Sequence, residues 1–77
     1  MNNQRRKALN YLIGKIEELK SELETLQNEE QDYVDNIPEN LQGSDKYDRA
    51  SEAADNLQSA VDDLEQVIDS ITNSIEG

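Results

Sequence analysis

The sequence predicts an all-α fold, an antiparallel two-helix coiled-coil hairpin. Three observations predict it. First, two ladders of mostly apolar residues alternate steps of three and four. One is Leu9, Leu12, Ile16, Leu19, Leu23, Leu26, Glu30 and Tyr33; the other is Tyr47, Ala50, Ala54, Leu57, Val61, Leu64, Ile68, Ile71 and Ile75. That spacing is the seam of a coiled coil. Second, the ladders mirror each other about Asn40, so that Tyr33 stands opposite Tyr47, Leu26 opposite Ala54, Leu19 opposite Val61 and Leu9 opposite Ile71. Third, Pro38 and Gly43 lie between the ladders, and the one glycine within them, Gly14, falls on an outward position.

Each element follows from local chemistry. The first helix is expected from about Asn3 to Asn36, because Glu, Lys, Leu and Gln fill it and favour helix. Gly14 falls on its outward face and costs roughly 1 kcal/mol relative to Ala. Ile37-Pro38 ends the helix, since a residue before Pro disfavours the α conformation. Residues 37–43 form the turn, where Gly43 is free to take a positive φ. Ser44 suits the N-cap of the second helix, expected from about Asp45 to Ser74. Asp45 and Asp48 then fall in its first turn, where the helix dipole favours negative charge. With 77 residues the chain makes one small domain.

The charges agree with the antiparallel sense. Arg5, Arg6 and Lys7 sit at the positive end of the first helix, and Asp69 and Glu76 at the negative end of the second. Each set is unfavourable alone, and a hairpin brings the two together. Glu30 falls on the seam opposite Ala50. It is expected to fix register by reaching Lys46 or Arg49, as isolated polar core residues do in coiled coils. Tyr33 and Tyr47 are expected to staple the helices near the turn, leaving Tyr11 as the exposed aromatic.

Composition excludes several function classes. The chain has no Cys and no His, so it offers no disulfide, no thiolate metal site and no imidazole catalysis. Neither a Ser-x-x-Lys pair nor a glycine-rich phosphate loop occurs. No catalytic residue, cofactor or metal site is therefore expected, and the protein is not read as an enzyme. The longest apolar runs are two or three residues, far short of a membrane span, and no apolar leader is visible. A cytoplasmic location is the expectation. The net charge of −11 repels nucleic acid and anionic lipid. Basic protein surfaces become the plausible partners.

Three surfaces stand out as candidates. Asp48, Asp55, Asp62, Asp69 and Glu76 recur every seven residues, an acidic column with a spacing of ~10 Å along one helix face. Asp63, with Glu52, Asp45 and Glu65, widens it. Residues 38–77 carry ten acids and two bases, against eight and five in residues 1–37. A generic soluble face mixes signs more evenly; a partner-binding column is the sharper reading and a solvated face the plainer one. Ala53, Ala60 and Val67 also recur every seven residues. They either widen the internal seam against the stems of Lys15, Glu22 and Glu29 or form a dimer interface that builds a four-helix bundle. Around the turn, Glu39, Leu41 and Tyr47 are candidate contact residues.

The turn Pro38-Glu39-Asn40-Leu41-Gln42-Gly43-Ser44, with Glu52-Ala53-Ala54-Asp55-Asn56-Leu57 and Ala60-Val61-Asp62-Asp63-Leu64-Glu65, resembles small acidic coiled-coil proteins of Gram-positive bacteria and their phages. The resemblance spans roughly residues 30–72. It implies a mobile-element origin, action in the host cytoplasm and inhibition of a basic host nucleic-acid-binding or defence protein, with DNA mimicry as one route. It carries no active site. The alternative expectation is a self-assembling structural bundle with no host target.

Overall fold

The computed structural model describes residues 1–77 as two long helices joined by a short connection. Helix α1 spans Asn3–Asp35 and helix α2 spans Asp45–Glu76, with a single 3-10 turn at Glu39–Leu41 between them. The helices pack against each other as a helical hairpin, a rod of 59 × 17 × 13 Å. No helix is long and apolar enough to cross a membrane.

Local chemistry sets the boundaries. The Asn2 side chain accepts from the Arg5 N–H at 2.8 Å and starts α1. At its end, Asn36 donates from both its backbone N–H and its side-chain amide to the Asp32 carbonyl. Pro38 then opens the connection, and its carbonyl accepts from Leu41 at 2.9 Å. Ser44 performs the expected cap: its hydroxyl accepts from the Tyr47 N–H at 3.2 Å and donates to the Leu41 carbonyl. Asp45 and Asp48 occupy the first turn of α2. Gly43 departs from expectation. No residue takes a positive φ, because the 3-10 turn reverses the chain without a left-handed residue.

The α2 face toward α1 is the expected one. Ala50, Ala54 and Val61 are buried, and Tyr47, Leu57, Leu64, Ile68, Ile71 and Ile75 are half-buried. The α1 face is rotated by one position. Leu9, Ile13, Ile16, Lys20, Leu23, Gln27 and Glu30 are half-buried and Val34 is buried, whereas Leu12, Leu19, Leu26 and Tyr33 are exposed. The expected ladder is thus half right: Leu9, Ile16, Leu23 and Glu30 stand on the seam, and the row between them does not. The reason is clearest near the connection. Val34 is compact and wholly apolar, so it fits against Ala50 and Ala54, with Ile37 and Tyr47 closing the cluster. Tyr33 is bulky and keeps its polar tip wet, so it turns outward. One residue of rotation carries the whole row with it.

The register moves as well. Val34 packs with Ala50 and Ala54, where the mirror about Asn40 would put it opposite Lys46. Lys20 reaches Glu65 at 3.9 Å, where the mirror would give it Ala60. The slide is about one helical turn. Glu30 also corrects the expectation. It forms no ion pair with Lys46 or Arg49, since the ion pairs present are Lys20 with Glu24 and Lys20 with Glu65.

Candidate functional site

Heptad geometry divides the outside of the rod into two opposed sides. Lys46 lies over the Tyr33 ring, 5.8 Å from its centre. Lys46 is seven residues before Ala53, and Tyr33 is seven after Leu26. That contact places the Leu12–Leu19–Leu26–Tyr33 row of α1 beside the Ala53–Ala60–Val67 row of α2. On the other flank, Lys20 bridges to Glu65, a near neighbour of Asp62 and Asp69 on the helix surface. Two positions separate Ala60 from Asp62, roughly 160° round a helix. The apolar rows and the acidic column therefore face nearly opposite ways.

The acidic column is wholly exposed. Asp48, Asp55, Asp62, Asp63, Asp69 and Glu76 all lie at the surface, and none takes part in an ion pair. Asp62 accepts one hydrogen bond, from the Gln58 side chain at 3.2 Å. The carboxylates are strung along α2 and do not converge, and no cluster of acids has the geometry of a cation site. What the column offers chemically is a field and a row of acceptors for Lys and Arg of a partner.

Charge is also uneven along the rod. Lys20–Glu65 crosses it near the middle. The part toward the connection, residues 21–64, holds thirteen acids and two bases, a net charge of −11. The part toward the termini, residues 1–20 and 65–77, holds five acids and five bases and is balanced.

The apolar side is broader than the sequence reading allowed. Ala53 and Ala60 are half-buried and Val67 is exposed. Lys15, Glu22 and Glu29, whose stems were one expected cover for that row, are exposed themselves. Beside it stand Leu19 at 59% and Leu26 at 55% exposure, with Leu12 and Tyr33. These residues share the heptad spacing of a seam, so spacing alone places them inside. The signal was present: Leu12-Ile13 and Tyr33-Val34 each put two apolar residues side by side, so α1 carries two competing rows.

At the connection, Glu39 and Leu41 are exposed and Tyr47 is half-buried. Tyr33, Ile37, Pro38, Leu41, Lys46 and Tyr47 line an open cleft of about 480 Å³. Tyr11 is exposed as expected, with Lys15 over its ring at 5.5 Å, but Tyr33 joins it at the surface.

The class defined by these observations is an antiparallel helical hairpin with one acidic and one apolar side. No protein-family model, curated protein or solved structure matches the chain.

Proposed function

We propose that this chain is a non-enzymatic interaction module that engages a basic, nucleic-acid-binding protein through the acidic column of α2. The observation that carries this reading is the column itself: five carboxylates in heptad register, exposed and without ion pairs. A face of that kind attracts a surface evolved to hold phosphates, by overall field more than by atom-for-atom likeness. In the setting implied by the likeness of the turn to phage proteins, the partner is a host DNA-binding or defence protein and the module is its inhibitor.

The test is capture of such a partner from nuclease-treated host lysate, with the wild type and an Asp55→Lys, Asp62→Lys, Asp69→Lys variant. A basic nucleic-acid-binding protein retained at low salt, released at moderate salt and not held by the variant supports the reading. Equal capture by a variant that keeps its helicity overturns it. A second reading, a structural bundle with no host target, draws support from the exposed leucine row. It predicts that the triple variant behaves like the wild type in every assay of assembly.

A further inference from the structure

The hairpin is poorly closed on its own. Only Val34, Ala50, Ala54 and Val61 are buried, and eight large apolar side chains are exposed. A folded globular chain of 8.7 kDa exposes about 4,700 Å² by mass scaling, whereas this one exposes 5750 Å². The excess of roughly 1,000 Å² per chain, doubled in a pair, is of the order that a specific interface hides. The radius of gyration, 17.5 Å, also exceeds the ~11 Å expected for this length. Part of the excess comes with any rod. The apolar part is concentrated on one side, where Leu12, Leu19, Leu26 and Tyr33 flank Ala53, Ala60 and Val67.

We infer that this side is covered by a second copy of the chain, packed face to face with its connection at the opposite end, to form an antiparallel four-helix bundle. Three observations select this occupant. The side is self-complementary about its own middle: a two-fold rotation there lays Leu19 of one copy against Leu26 of the other, and Ala60 against Val67. Such an isologous contact uses one patch twice. The acidic column points away, so pairing leaves it exposed and brings no column against another. Finally, charge along the rod selects the sense. With connections at opposite ends, the balanced terminal half of each copy lies over the −11 half of the other. With connections together, two −11 halves would be stacked. Lys15 and Glu29, edging the leucine row, come close across the pair only in the first arrangement. The inference is independent of whether the acidic column has a partner.

Sedimentation equilibrium from low to high micromolar concentration tests it, paired with thermal melts over the same range. The expected mass is twice 8.7 kDa, and the melting temperature rises with concentration, as linkage requires of a dimer. A single-chain mass with a concentration-independent melt overturns the inference, and so does any assembly larger than two. Leu19→Glu with Leu26→Glu should halve the mass, while Asp62→Lys should not. The concentration dependence of the wild type decides the question even if the double variant unfolds. For the sense of packing, Gly43→Cys supplies a unique label site in a chain without Cys. Labels in the dimer should lie far apart, comparable to the 59 Å rod length; labels in close proximity overturn the antiparallel arrangement.

Discussion

The seam near the connection and the seam at mid-hairpin are built differently. Near the connection, Val34 meets Ala50 and Ala54, Ile37 and Tyr47 pack around them, and Ser44 caps α2. Small and branched residues let the helices approach closely there. At mid-hairpin the same α1 row holds Lys20 and Gln27, and Leu19 and Leu26 turn outward. The contrast teaches that register is set close to the connection. The middle follows, even where following it exposes leucine and half-buries lysine. An isolated rod gains little there. A rod meant to be covered on its leucine side loses nothing.

The largest break should come at Ala54, which is 1% exposed. Ala54→Asp places a carboxylate in the tightest contact with no base beside it. Burying an unpaired charge costs on the order of 3 kcal/mol or more, enough to unfold a small hairpin, and circular dichroism at low concentration should show loss of helix. The next largest effect is a paired comparison. Val34→Ala removes two buried methyl groups and should cost about 1.6 kcal/mol in urea unfolding. That loss should hold at every protein concentration. Leu26→Ala removes a larger side chain, yet should cost under ~0.5 kcal/mol in dilute solution, as exposed substitutions do. Its cost should grow at concentrations where pairs form. Equal costs for the two at low concentration would mean that Leu26 lies on the internal seam. Ser44→Ala comes third, at about 1 kcal/mol for a lost N-cap. It should loosen the connection end before the terminal end, which amide exchange resolves residue by residue.

How much of this was legible in the sequence differs between the helices. In α2 the apolar residues form one dominant row flanked by small residues, so periodicity alone identified the face. The Ser44 cap and the Pro38 stop rest on local chemistry and were equally legible. In α1, Leu12 and Ile13 are both apolar, as are Tyr33 and Val34. A heptad count favours the row through Leu12, Leu19 and Leu26, because the rival row through Ile13 and Val34 also holds Lys20 and Gln27. The choice rests on shape complementarity with Ala50 and Ala54, which is a tertiary property. The mirror about Asn40 failed for a related reason: it assumed that the connection is symmetric, whereas Ile37 folds back onto the α2 contact. The acidic column needed only spacing to be found. Whether a face is covered depends on what approaches it, and spacing does not carry that.

The smallest expected effect probes the middle of the seam directly. The Lys20 side chain is 23% exposed and bridges Glu24 at 3.6 Å and Glu65 at 3.9 Å. Its stem already covers apolar surface, as long basic side chains do. Replacing Lys20 with Leu removes two ion pairs, each worth ~0–1 kcal/mol when partly solvated. In return, it places a branched apolar group beside Leu23 and Ile16, at about 0.8 kcal/mol for each further CH₂ group buried. These terms nearly cancel, so the hairpin itself should change by less than ~0.5 kcal/mol. The salt dependence should change more clearly: with the cross-helix ion pair lost from a chain of net charge −11, mainly repulsion remains to be screened, and added salt should stabilise the variant more than the wild type. A large stabilisation would mean instead that α1 is held by a seam strong enough to set the register without Val34, and the two regions would then no longer differ in kind.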